Sequence, residues 1–207
     1  MQGNSYTARR SLEAGLRCSK KRGIFPVEKM KPLFTKGYTH IYTGDGKGKT
    51  SAALGLAFRA AGSGIRSIVI QFMKGLPTGE QKASAMLGSI ITIEQYGSAR
   101  FCRPDDGMLE EHQHLVRLGY ERARNVLKSG EYPIVILDEI ITAVKFGLLS
   151  DEDIIALIED KPETIELVLT GRSAGVRLIK HADLVTEMKE IKHYYRTGAA
   201  PRKGIED

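Results

Sequence analysis

Seven residues, Gly44-Asp45-Gly46-Lys47-Gly48-Lys49-Thr50, constrain this chain more than any other stretch. They stand between a β-rich run, Thr-His-Ile-Tyr-Thr at 39–43, and an Ala- and Leu-rich run at 50–61 that reads as a helix stopping at Gly62. Successive small residues let backbone N–H groups turn inward as an anion-binding nest. The helix that follows adds the positive end of its dipole to that field. Lys49 is placed to reach the outer phosphates of a nucleotide, and the Thr50 hydroxyl to ligate Mg²⁺. The strict phosphate-loop pattern has glycine six residues before that lysine. Here the position is Thr43, and a second lysine, Lys47, lies inside the loop.

A phosphate loop needs an acidic partner at the mouth of the sheet. The continuous apolar run at 134–137 reads as a central strand covered on both faces, and Asp138-Glu139 ends it. Carboxylates at the carboxyl end of such a strand sit where a phosphate-bound metal must be held. Either of the two can be the ligand on this reading. Two further strands end in polar groups at the same edge, Gln71-Phe72-Met73-Lys74-Gly75 and Thr170-Gly171-Arg172.

The rest of the pattern repeats strand, loop and helix. Strands are expected over 39–43, 65–72, 90–94, 134–137, 165–169 and 184–186. Helices are expected over 50–61, 83–87, 105–128 and 151–158. Ser150 and Asp153 form a capping box for the last helix, and Pro162 stops it. Alternation of this kind predicts an α/β fold, a mainly parallel sheet with helices on both faces. His112 and His114 lie two apart, on opposite sides of a helix, so they read as structural rather than as a metal pair. The five histidines show no zinc spacing.

Charge narrows the function classes. The net charge is +6, but residues 1–36 hold nine basic and two acidic side chains, while the remaining 171 hold 22 and 23. The basic balance therefore belongs to an N-terminal extension, 1–35, expected to be mobile. The domain at 36–207 is near neutral and lacks a footprint for nucleic acid. No apolar run approaches the roughly 20 residues of a membrane span, and the first residues lack a signal-peptide pattern. Cys18 and Cys102, far apart and without metal spacing, read as reduced, structural cysteines of a cytoplasmic protein.

Taken in order, these segments resemble the corrinoid adenosyltransferases of the P-loop type. The resemblance runs from about Gly37 to Glu206. It rests on the loop with its flanks, Tyr42-Thr43 before and Ser51-Ala52-Ala53 after, on Gln71 to Gly75, on Ile136-Leu137-Asp138-Glu139, and on Leu169-Thr170-Gly171-Arg172. Ala182-Asp183-Leu184-Val185-Thr186-Glu187-Met188, Lys192-His193 and Gly204-Ile205-Glu206 complete it. The family's own loop shares the shift at Thr43.

The resemblance implies a P-loop NTPase-like (RecA-like) fold. It also implies a reaction: transfer of the 5′-deoxyadenosyl group of ATP to the Co(I) of a reduced corrinoid, releasing triphosphate. ATP and the corrinoid are then substrates, with Mg²⁺ or Mn²⁺ as cofactor, a reductase supplying electrons to cobalt, and a homodimer as the assembly. Lys49, Thr50 and Glu139 are the expected catalytic residues, with Thr50, Asp138 and Glu139 around the metal. Gly44, Asp45, Gly46, Lys47, Gly48, Lys49, Thr50, Ser51, Gln71, Lys74, Phe101 and Arg172 are the expected binding residues. Co(I) is a strong nucleophile, which agrees with the lack of a general base among the motifs. Three features depart from the family. The chain has no Trp where many members carry Phe-Thr-Trp, leaving Phe101 to fill part of that role. Ile141 stands where Asn is frequent, and Ala174-Gly175 where Ala-Pro is. An ATP-hydrolysing P-loop enzyme and a non-catalytic nucleotide or corrinoid binder are the alternative readings.

Overall fold

The computed structural model describes residues 33–100 and 109–206. The expected extension over 1–35 falls outside this part except for its last three residues, of which Phe34 packs against the core. Six strands form one sheet: β1 (Thr39–Thr43), β2 (Ser67–Phe72), β3 (Ile91–Tyr96), β4 (Ile134–Asp138), β5 (Glu166–Thr170) and β6 (Leu184–Glu187). Their order is β3-β2-β4-β5-β1-β6, and every pairing is parallel. The helices are α1 (Lys49–Gly62), α2 (Gly79–Met86), α3 (Leu109–Ser129), α4 (Ile140–Lys145), α5 (Asp151–Glu159) and α6 (Val176–Lys180).

A parallel sheet needs cover on both faces, and the alternation of side chains along a strand shows how it is shared. On β4, Ile134 and Ile136 join Ala53, Ala57 and Ala60 of α1 in one core. Val135 and Leu137 face the other way, toward Val116, Ala123 and Leu127 of α3, Ile140 of α4, and Ile154 and Leu157 of α5. Every residue of β2 and β4 is buried, whereas all four of β6 are exposed, because β6 is an edge strand bonded only to β1.

All six expected strands are present, each within two residues of its expected bounds. α1 and α5 match as closely, and the Ser150–Asp153 capping box forms, with Ser150 Oγ accepting from the Asp153 amide at 3.1 Å. The stretch of α3 expected at 105–108 lies outside the described residues. α2 starts four residues earlier than the Ala-rich run suggested, because Gln81 reaches back to the Thr78 amide and closes a first turn. The helices α4 and α6, six and five residues long, were not expected. Each is too short to show a period, and each is held by tertiary packing, as isolated helices of that length are unstable.

One close approach sets the seat of α3. A Cβ on Gly119 would lie 2.9 Å from Tyr96 Cβ and 3.0 Å from Phe72 Cε1, so the helix lies against β2 and β3 only because that position lacks a side chain. Gly119→Val should destabilise the fold by about 1–3 kcal/mol through overpacking. Urea denaturation should show a lower midpoint with little change in slope.

Candidate functional site

The carboxyl ends of β1, β2, β4 and β5 meet at one edge, and a buried carboxylate ties them together. Asp138, the last residue of β4, is fully buried. Its Oδ1 accepts from the Thr50 hydroxyl at 2.8 Å and the Thr170 hydroxyl at 2.7 Å. Its Oδ2 accepts from Lys74 Nζ at 2.8 Å and Gln71 Nε2 at 3.1 Å. A buried carboxylate without donors would cost several kcal/mol, so four donors from four segments converge on it. Burial works against the charge on Lys74, but Asp138 beside it outweighs that and holds the ammonium above the ordinary lysine value.

Glu139 follows in the left-handed region at φ 63° and opens α4. Its amide donates to Thr170 Oγ1 at 2.9 Å, and its carboxylate accepts from the Thr142 hydroxyl. Met73 and Ser173 are the other non-glycine residues with positive φ among those described. All three sit just past strands β4, β2 and β5, at the same edge. Backbone strain of this sort costs about 1–3 kcal/mol and gathers where a chain aims side chains at a site.

The phosphate loop explains its own irregularity. Thr43 ends β1, and its hydroxyl accepts the Ala174 amide at 3.1 Å. The left-handed turn falls on Gly44 at φ 97°, with Gly48 at φ 121°. The turn thus starts one residue later than in the strict pattern, and glycine is not needed at position 43. A Cβ on Gly44 or Gly46 would come within 2.4 or 2.7 Å of the Met188 carbonyl oxygen. That carbonyl accepts the Gly46 amide at 2.7 Å. Lys49 Nζ donates to the Gly44 and Gly46 carbonyls at 2.7 and 2.8 Å. Burial, and then the nearby Arg172, lower the Lys49 ammonium below the usual lysine value. Glu139, Asp45 and Asp138 pull the other way, and Arg172 Nη1 lies 3.4 Å from Asp45 Oδ1.

A cavity of about 980 Å³ opens over the loop. Of the expected site residues, Asp45, Gly46, Lys47, Gly48, Lys49, Thr50, Ser51, Lys74, Glu139 and Arg172 line it. Gly44, Gln71 and Asp138 do not. Gln71 is fully buried, donating to Asp138 and to Glu80 Oε1 and accepting from Gln95, so its place is in the support beneath the cavity. Phe101 lies outside the described residues. Of the two acidic residues expected near a metal, Glu139 is on the cavity wall and Asp138 is beneath it. Among the described residues, no three His, Cys, Asp or Glu side chains cluster as a metal cage. His112 is buried and His114 exposed, on opposite sides of α3 as their spacing dictates.

Sequence reasoning assigned no role to a second set of lining residues. Glu80 comes from α2, and Glu190, His193, Tyr195, Arg196 and Glu206 from the segment after β6. His193 and Glu206 belong to the Lys192-His193 and Gly204-Ile205-Glu206 motifs, which is the signal that the sequence carries for them. A Cβ on Gly75 would meet the Gly97 carbonyl at 2.3 Å, so the loops after β2 and β3 touch backbone to backbone.

A phosphate loop after β1, an acidic pair at the end of β4 and an arginine after the intervening β5 define a P-loop NTPase-like α/β protein. The profile described as ATP:corrinoid adenosyltransferase BtuR/CobO/CobP matches residues 35–206, and the chain belongs to that family. It is 34% identical over 183 residues to a corrinoid adenosyltransferase of Sinorhizobium sp, covering 83% of this chain and 80% of that one. A Pseudomonas aeruginosa corrinoid adenosyltransferase is 29% identical over 191 residues, covering 92% and 93%. An uncharacterized protein of Nostoc sp. is 33% identical over 170 residues, 76% of this chain, which spans only 45% of that relative's length.

Thr170→Val removes one donor from Asp138 and leaves the Glu139 amide without its acceptor. The unsatisfied amide costs about 1–3 kcal/mol and the lost hydrogen bond to Asp138 about 1 kcal/mol, so stability should fall by about 2–4 kcal/mol. Thr170→Ser should keep most of it. Thermal unfolding of the two variants side by side checks this.

Proposed function

We propose that this transferase moves the 5′-deoxyadenosyl group of ATP to the Co(I) of a corrinoid, with the triphosphate held by the phosphate loop as the leaving group. The observation that carries the reading is that the loop, Thr50, Glu139 and Arg172 wall one cavity. Co(I) attacks C5′, the Co–C bond forms, the C5′–O bond breaks, and the electron pair leaves with the triphosphate. No proton has to be abstracted. The protein's task is to align C5′ with cobalt and to stabilise negative charge on the departing oxygen.

Lys49 and Arg172 suit the second task. Arg172 disfavours the charge on Lys49, and a triphosphate bound beside them would favour it. The residues present also fit a magnesium ion. Thr50 Oγ1 donates its proton to Asp138 and so presents its lone pairs outward, and Glu139 stands on the cavity wall. Mg²⁺ is usually held by one or two protein oxygens together with phosphate and water oxygens. When bound, it would neutralise part of the triphosphate charge. Asp138, with Lys74 and Gln71 on one oxygen and two hydroxyls on the other, orients Thr50 rather than ligating metal itself.

The corrinoid is the second substrate, and delivery of electrons to cobalt by a reductase is part of the reading. So are a homodimer, supported by the family resemblance, and a cytoplasmic location, supported by the cysteine usage. Among the described residues, no helix is long and apolar enough to cross a membrane.

Incubation with ATP, Mg²⁺ and reduced cobalamin should give a light-sensitive Co–C bond and one triphosphate per turnover. ADP and phosphate without alkylated cobalamin would overturn the reading. Lys49→Ala should lower kcat/KM for ATP about 10²-fold or more, the scale for losing one preorganised charge partner. Steady-state kinetics at saturating corrinoid measures it.

A further inference from the structure

Two lysines stand in the phosphate loop, and their ammonium groups are committed differently. Lys49 spends two of its three hydrogens on loop carbonyls. Lys47 spends all three on the chain's C-terminal end: Tyr194 Oη at 2.8 Å, the Ile205 carbonyl at 3.2 Å and Glu206 Oε1 at 2.8 Å.

The receiving cluster is itself closed. Glu206 Oε1 also accepts from Tyr194 Oη and from Arg202 Nη2 at 3.1 Å, and its Oε2 from the Arg202 amide at 2.8 Å. The Tyr194 ring carries the Lys47 ammonium at 5.5 Å and the Arg202 guanidinium at 4.9 Å. Between Met188 and Glu206 the chain has one short 3₁₀ turn, Tyr194–Thr197, and no strand. It is pinned to the phosphate loop at both ends, through the Gly46 amide on the Met188 carbonyl and through Lys47 on Glu206. Between the pins, Glu190, His193, Tyr195 and Arg196 face the cavity.

We propose that Lys47 is a positioning residue that latches the C-terminal strap, residues 188–206, over the nucleotide cavity, leaving Lys49 and Arg172 as the cations that meet the triphosphate. This deepens the reading of the loop as a triphosphate site and rests on it. Charge supports the division. Arg202, Lys47 and Tyr194 hold the Glu206 carboxyl well below the usual carboxylate range, so it is an anion on the cavity wall. Were Lys47 to leave Glu206 for a phosphate, that carboxylate would stand less compensated beside a polyanion. Lys47 is most useful where it is, neutralising Glu206 and closing the wall.

Limited trypsin digestion of the full chain reads the strap, which carries Lys189, Lys192, Arg196, Arg202 and Lys203. Lys47→Met and Glu206→Gln should each speed cleavage there about tenfold by raising the local opening equilibrium, and the double variant no further. Tyr194→Phe, which removes one hydroxyl, should speed it roughly threefold. Mg²⁺-tripolyphosphate should leave the wild-type strap protected. By calorimetry, its Kd should change less than about twofold in Lys47→Met and rise at least about tenfold in Lys49→Ala. The latch is overturned if Lys47→Met weakens tripolyphosphate as much as Lys49→Ala, if tripolyphosphate opens the wild-type strap, or if neither single variant changes cleavage. Unchanged tripolyphosphate binding in Lys49→Ala would instead overturn the reading of the loop, and the cleavage pattern would still decide the latch.

Discussion

The carboxylate of Asp138 is the interaction on which the rest of this site depends. It is an anion with no access to solvent, and it is tolerable only because donors from α1, β2, the loop after β2 and β5 reach it at once. That requirement links the strand order to the chemistry. With β4 flanked by β2 and β5, Gln71 and Thr170 arrive from its two neighbours. Thr50 must come from across β5, at the head of the helix that leaves the phosphate loop. The buried charge thus acts as a gauge for three strands and a helix, and Glu139 is carried into the cavity as its neighbour.

Around this hub the backbone is shaped to close approach. Gly44 and Gly46 admit the carbonyl of Met188, Gly171 admits Thr142, and Gly75 meets Gly97. The glycines of the loop therefore answer to two demands. One is the nest that an anion needs, and the other is room for the strap that crosses it. The same dual use marks the lysines. One faces the cavity from the helix end, while the other faces the chain terminus. Positive charge is plentiful here, but the fold spends part of it on structure.

Much of the fold was legible from pattern alone. Strands such as Ile134–Asp138 announce themselves because a strand covered on both faces must be continuously apolar, and α1 and α5 carry their start and stop signals in adjacent residues. What escaped was short or non-local. α4 and α6 have too few residues to display a period, and α2 begins on a side-chain return from Gln81 rather than on an apolar residue. Gln71 read as a binding residue because it ends a strand at the right edge. The register pairs it with Asp138 on β4, and its side chain lies beneath the cavity, donating to that carboxylate.

The sequence by itself determined that a polyphosphate loop precedes a helix, that an acidic pair ends a central strand, and that the ordered motifs resemble one family, because each is a matter of residues close along the chain. The tertiary structure decided which carboxylate faces the cavity, why Thr43 is admissible where glycine is usual, and what Lys47 touches. Those answers depend on partners up to 159 residues away, as between Lys47 and Glu206. Spacing along a chain cannot report such a contact, since only the folded sheet brings the C-terminal segment back across the loop at its first strand.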